Sequence, residues 1–382
     1  MDLRLSASDE AFRAELRDWL ARTLPELPAA PARDDWPARV RYDTDWQRRL
    51  FDAGYAGMSW PEGYGGRDAP PSEQLVFLEE TTTARAPYVG VNFVGTLHAG
   101  PTLIAEGSEP QRARHLPRIL RGDEVWCQCF SEPGAGSDLA GLRTRAVRDG
   151  DDYVVSGQKI WCSFGHVGEY GELLVRTDAD APKHRGISWL ILEMDRPGIE
   201  VRPIETLLGS SEFCEVFLDE VRVPVANRVG AENDGWRVTN VTLSFERGTA
   251  FVSEMVDARR LADELRPLAR GPAERRELGR VLAALDALWA LTVRNVTQAS
   301  RGVVGPGATM FKLAYSEARD RLGELSIRLL GRGAFDVHDE RVEERLRTLS
   351  IPIAAGTSQI QRNIIGERVL GLPRERAWEP QS

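Results

Sequence analysis

Cysteine is scarce in this 382-residue sequence: Cys127, Cys129, Cys162 and Cys214 are the only four, and no two form a Cys-x-x-Cys pair. Neither a disulfide framework nor a zinc ribbon organises such a chain. Cys127 and Cys129 are instead expected on one face of a strand, as small buried hydrophobes. Long apolar runs are missing too. No stretch approaches the roughly 20 apolar residues of a membrane span. The opening MDLRLSASDEAFRAEL has no basic region followed by an apolar core, so it does not read as a secretory signal. The expectation is a cytoplasmic protein without a membrane partner. Positive charge is also in deficit, with a formal net charge of −9. The arginines at 259–260, 275–276 and 341–347 are interleaved with acids, the pattern of solvated helix faces carrying intrahelical ion pairs. A nucleic-acid partner, which needs a basic stripe, is not expected. Gly134-Ala135-Gly136 and Gly331-Arg332-Gly333 both lack the third glycine of a dinucleotide-binding turn, and neither a Walker loop nor a Gly-x-Ser-x-Gly elbow is present. These absences exclude the Rossmann, P-loop and hydrolase-elbow readings.

What remains is ordinary globular composition, 42% hydrophobic and 28% charged, at a length that suggests two or three domains. Residues 1–121 read as helices joined by proline- and glycine-rich connections. Ser8 is expected to cap a helix carrying Phe12, Leu16, Trp19 and Leu20. Thr44 is expected to open a second, with Trp46, Leu50 and Phe51, and Ser72 a third, with Leu75 and Leu78. Ser108, with Pro110 in the first turn and Gly122 beyond the end, brackets a fourth. Residues 122–230 change to short Val- and Ile-rich runs such as DYVVSG, ELLVRT, ISWLILEM and CEVFLDEVRVP, with Asp149-Gly150 as a hairpin signal. Residues 231–382 return to helical periodicity over 236–269, 272–300, 308–331 and 339–370, with a break near Pro352. Strands gathered in one block exclude a doubly wound sheet. The expected fold is α+β: an N-terminal helical domain, a central β-barrel-like domain and a C-terminal four-helix bundle.

The most unusual local sequence is SEPGAGSDLAG, Ser131 to Gly141. Glycines there let the main chain come close to a flat or phosphorylated ligand; taken alone, the same residues also make a plain strand-to-strand turn. SEPGAGSD closely resembles the signature loop of the acyl-CoA dehydrogenases, and GQKIWCSF, Gly157 to Phe164, resembles that family's second flavin segment. LSFERGTA, Leu243 to Ala250, resembles the start of its long C-domain helix, and AAGTSQIQRNIIGERVLGLP, Ala354 to Pro373, its closing motif. The resemblance spans nearly the whole chain. It implies FAD as cofactor, with Ser131 hydrogen-bonded to the flavin ring, Trp161 beside the isoalloxazine, Ser163 near N5, and Thr357 and Gln359 on FAD. It also implies that Ser137 touches the CoA portion of an acyl-CoA and that Arg247 positions the active site.

One departure is informative. Most members carry a glutamate immediately before Gly-Thr in the closing motif, and that group takes the substrate's α-proton; here Ala355 stands there. Isovaleryl-CoA and long-chain acyl-CoA dehydrogenases carry the base on the C-domain helix instead, directly before the arginine, where this chain has Glu246. On a helix Glu246 shares a face with Thr242, Leu243, Thr249 and Ala250; burial there would raise its pKa toward the range of a general base. A second departure lies at RNVTQASRGVVGPG and LLGRGAF, which match poorly the family's partner-subunit contacts to FAD.

The implied reaction removes a proton from Cα and a hydride from Cβ, giving a trans-2-enoyl thioester, with an electron-transferring flavoprotein as acceptor by family analogy. The implied assembly is a homodimer or homotetramer, or a heterotetramer as in members acting on bulky or steroid side-chain thioesters. A carrier-protein-bound acyl or aminoacyl substrate, a flavin monooxygenase and a noncatalytic subunit are the other readings the same fold accommodates.

Overall fold

A computed structural model describes residues 5–245, 251–299 and 307–373. In space these group into two compact units. One holds 17–70 and 84–245; the other holds 5–16, 71–83, 251–299 and 307–373. Among the described residues, no helix is long and apolar enough to cross a membrane.

Helix α1 spans Ala7–Thr23, α2 Trp36–Asp52, α3 Pro71–Thr83, α4 Gly100–Glu106 and α5 Glu109–Arg121. The cap of α1 is Ser6, not Ser8: Ser6 N donates to Asp9 Oδ2 and Asp9 N to Ser6 Oγ, both at 3.1 Å. A reciprocal cap satisfies two end groups at once. Thr44 does not open α2. It lies within the helix and back-bonds to Val40 O at 2.8 Å, while Asp35 caps the true start by accepting Ala38 N at 3.0 Å. Helix α5 follows its sequence signals closely, with a capping box between Ser108 and Gln111 and a left-handed Gly122 at its end.

The strands are β1 Trp126–Cys129, β2 Arg145–Asp149, β3 Asp152–Ser163, β4 Tyr170–Arg176, β5 Ile187–Glu193, β6 Ile199–Ile204, β7 Phe213–Pro224 and β8 Arg228–Val229. They form one sheet in the order β6-β7-β3-β2-β4-β5-β8, with β1 parallel to β4. The Asp149-Gly150 hairpin forms, pairing Asp149 with Asp152 around Gly150 at φ +63°. Alternate residues of these strands, among them Tyr153, Val155, Leu173, Val175, Leu190 and Val216, meet in one core together with all four cysteines. Each such aliphatic side chain contributes roughly 1.5–3 kcal/mol by leaving water. The cysteines are free and buried, and Cys127 and Cys129 do share a face, with sulfurs 3.8 Å apart. The unit's last described helix is α6, Gly235–Phe245.

In the helical unit, α7 (Val252–Glu264), α8 (Pro272–Ala299) and α9 (Gly307–Leu330) pack with α3 and with α10 (Glu340–Thr348). Met255, Leu261, Leu285, Phe311, Tyr315 and Leu322 lie in its core. The helix expected over 339–370 is two: α10, then α11 (Ser358–Ile364) continued by a π turn over Ile365–Val369. The interruption runs through Ile351–Thr357, where Pro352 removes a donor and Ala355 and Gly356 both have positive φ.

Candidate active site

SEPGAGSD leaves the end of β1 and closes immediately on itself. Glu132 and Ala135 exchange backbone hydrogen bonds of 3.1 and 3.0 Å around Pro133-Gly134. The Glu132 side chain turns inward, where it accepts Arg143 N (2.7 Å), Thr144 N (2.8 Å) and Lys159 Nζ (2.9 Å). Burial alone would raise this carboxyl; the Lys159 ammonium and the hydrogen bonds it accepts hold it below the usual carboxylate range. Ile160 N donates to Ser131 O at 2.9 Å. The main chain of Ser131 is therefore tied to the residue beside Trp161.

Trp161 is the conspicuous side chain of this region. It sits where the pairing of β3 with β7 shifts register between Lys159 and Cys162, and its φ is +61°. A bulge of this kind re-aims a side chain, and Trp161 is left 56% exposed, edge-on to Phe213 at 6.2 Å. A left-handed, bulky residue costs free energy and marks sites where backbone strain serves a purpose. Ser163 follows two residues later, half-buried, opposite Phe213 on β7. Ser131 is half-buried and Ser137 exposed.

These residues fit a flat, hydrogen-bonding ring system. Gly134 and Gly136 have ordinary φ, and a Cβ added to either would meet nothing within 4 Å. Among the described residues nothing demands glycine there, so the space a Cβ would take is open to a ligand. Hydroxyls at 131 and 163, the exposed indole at 161 and the open Cβ positions of Gly134 and Gly136 are, by their chemistry, groups that can hold the flat, hydrogen-bonding ring the resemblance implies.

In the helical unit, Thr357 caps α11, accepting Ile360 N at 3.2 Å, and Gln359 is exposed in its first turn. Ala355, two residues earlier, is exposed at φ +50°. Glu246 and Arg247 lie outside the described residues. One turn before them Thr242 is buried on α6, its hydroxyl 2.9 Å from that of Thr102 on α4.

Sequence reasoning passed over several groups. Lys159 is one: counting by twos from the inward Tyr153 and Val155 reaches Lys159, a signal that it would be buried. Another is Gln128 on β1, whose amide donates to His98 Nδ1 (3.0 Å) and to Glu172 Oε2 (3.2 Å). Burial pushes His98 down to about 4, so its ring is neutral at ordinary pH.

Comparison with known proteins identifies the architecture. Family models of the acyl-CoA dehydrogenase N-terminal, middle and C-terminal domains match residues 6–123, 127–221 and 233–370. The chain belongs to the acyl-CoA dehydrogenase family: it is an FAD-dependent oxidoreductase that dehydrogenates an acyl-CoA between Cα and Cβ. It is 39% identical to the acyl-CoA dehydrogenase IpdE1 of Mycobacterium tuberculosis, over 96% of this chain and 98% of that one. Among solved structures it resembles the Tcur3481-Tcur3483 steroid acyl-CoA dehydrogenase (31% identity, TM-score 0.85, 98% and 100% of the two chains). It also resembles the ChsE4-ChsE5 complex of Mycobacterium tuberculosis (32% identity, TM-score 0.83, 98% and 100%).

Proposed function

We propose that Glu246 is the catalytic base, with Arg247 positioning the site, as in the members that carry the base on the C-domain helix. The observation that carries this reading is Ala355: the position before Gly356-Thr357 offers a methyl group, which takes no proton. Thr242, four positions earlier in the sequence, is buried, and burial of a carboxylate raises its pKa toward the range of a general base. In the reaction the Cα proton passes to the Glu246 carboxylate as a double bond forms to Cβ. FAD, when bound, supplies the acceptor for the Cβ hydride. Ser131 and Ser163 donate hydrogen bonds to the ring, Trp161 flanks it, Thr357 and Gln359 hold the cofactor, and Ser137 meets the CoA portion. Their task is orientation: a bound geometry held in advance removes much of the entropic cost of reaction.

The substrate we propose is the thioester of a bulky, polycyclic acyl group, and the assembly a complex with a second chain of the same fold. Support comes from the two solved relatives, one a steroid acyl-CoA dehydrogenase and both named for two chains. It also comes from the poor match of 294–307 and 329–335 to the family's usual partner-subunit FAD contacts. Electrons leave to an electron-transferring flavoprotein, in the cytoplasm. Domain boundaries at 121 and 230 are part of the same proposal.

The test is anaerobic bleaching of the flavin band on adding straight-chain and steroid-side-chain acyl-CoAs to wild type and Glu246→Gln. Bleaching confined to wild type, fastest with the bulky thioester, is expected. Equal bleaching in both proteins overturns Glu246; preference for straight chains overturns the substrate class.

A further inference from the structure

Lysine is nearly absent from the chain: of 49 Lys and Arg residues only Lys159, Lys183 and Lys312 are lysine. Two of the three are buried, and each of these donates to main-chain carbonyls. Lys159 Nζ reaches Phe130 O at 3.1 Å, in addition to Glu132. Lys312, on α9, reaches Ile351 O at 2.8 Å and Gly356 O at 3.0 Å. Phe130 immediately precedes Ser131, and Gly356 immediately precedes Thr357. In two different units, an interior ammonium grips the carbonyl one residue before a hydroxyl assigned above to FAD.

The chemistry of the acceptors explains why these two positions are not arginine. Each ammonium serves two separate acceptors, Phe130 O and the Glu132 carboxylate for Lys159, Ile351 O and Gly356 O for Lys312, which suits a compact group with three rotatable donors; a guanidinium presents a rigid planar fork. Around Lys312 the grip has work to do. The 351–357 loop carries Ala355 at φ +50° and Gly356 at φ +82°, and a left-handed alanine costs roughly 1–2 kcal/mol. Gln361 Nε2 adds longer bonds to Ala355 O (3.3 Å) and Gly356 O (3.4 Å), and Ser358 N closes the loop on Pro352 O (2.8 Å). Burial pushes the Lys312 ammonium down to about 8, so the charge is held there at a cost.

We propose that Lys312 and Lys159 are positioning residues for FAD, each fixing the main chain directly before a flavin-binding hydroxyl. The proposal rests on the reading of Ser131 and Thr357 above. Its test is the FAD dissociation constant of apoenzyme, read by flavin fluorescence quenching and by visible circular dichroism of the bound flavin, beside the thermal midpoint of each apoprotein. Lys312→Met and the charge-neutral pair Glu132→Gln/Lys159→Met are expected to weaken FAD at least tenfold and alter the flavin dichroism. Lys183→Met, the remaining lysine, is expected to leave both unchanged. Lys312→Gln serves if Lys312→Met does not fold. Affinity within twofold of wild type in the Lys312 variant, even with a lowered midpoint, overturns the proposal and leaves a purely structural role. Thr357→Ala and Ser131→Ala test the underlying reading: if they bind FAD normally, that reading fails, whatever the lysine variants do.

Discussion

Glu132 and Lys159 form an ion pair of 2.9 Å with the lysine wholly buried and the glutamate nearly so. It joins the glycine loop to β3 across 27 residues of sequence. Removing one partner leaves the other charge in the interior, so Lys159→Met is expected to cost about 3–5 kcal/mol. Glu132→Gln/Lys159→Met is expected to cost less than that single variant. Urea unfolding of the cycle measures both; a double variant no more stable than Lys159→Met would mean the pair is not an energetic unit. The sign with pH follows from the depressed Glu132 carboxyl. Its contribution is full above the unfolded pKa near 4.5 and is lost as pH falls through the lower folded value. Wild type should therefore lose stability more steeply in acid than the double variant.

Glu254, on α7, behaves in the opposite sense. It is enclosed in the helical unit, and burial raises its carboxyl to about 7 against the neighbouring Arg319 and Arg347, with Asp257 adding to the rise and the Tyr315 hydroxyl bonded to Arg319. A raised folded pKa contributes stability below the unfolded value, and that contribution is lost as pH rises through about 7. Glu254→Gln is expected to be more stable than wild type at pH 8, by on the order of 3 kcal/mol. Thermal midpoints of the two proteins at pH 5 and pH 8 check this; an unchanged gap between them refutes it.

Trp161→Ala separates function from stability. The indole is more than half exposed, so its loss should change the unfolding free energy by no more than about 1 kcal/mol. Flavin affinity and the visible flavin spectrum should change clearly. Trp161→Gly, which accepts φ +61° without strain, should be more stable than Trp161→Ala by roughly 1 kcal/mol. Identical flavin spectra in all three proteins would remove Trp161 from the site.

Ala355 already occupies a left-handed conformation, so a longer side chain there adds little new backbone strain. Adding Ala355→Glu to Glu246→Gln is expected to recover part of the anaerobic bleaching rate. No recovery, with FAD still bound, would mean that this loop does not bring a carboxylate to Cα in this chain.

The features legible from sequence were the local ones. Ser108, Gln111 and Gly122 bracket α5 within one stretch, and Asp149-Gly150 sets its hairpin by turn geometry alone. Helix α2 shows where local signals compete: Asp35 and Thr44 are both cap-forming residues, but Pro37 in the first turn and the Ala38 N–H, which Asp35 accepts, favour Asp35. Distant pairings were not legible. Helix α3 packs with α7 and α8, the bulge that exposes Trp161 depends on β7, and Lys312 meets a carbonyl 44 residues away. The flavin and base assignments came from resemblance in four motifs, because serine, tryptophan and glutamate in isolation have ordinary structural uses.

The near-absence of lysine has a practical consequence for covalent chemistry. With Lys159 and Lys312 enclosed, Lys183 is the one lysine side chain open to solvent, half exposed and ion-paired with Asp138. An amine-selective reagent applied to the folded protein therefore meets a single solvent-open lysine, on the β4–β5 connection and paired with Asp138 of the glycine loop. Apart from the α-amino group, which is deprotonated at lower pH than a lysine, a fluorophore or surface tether would attach at this one defined point, with far fewer labelled species than a lysine-rich surface gives.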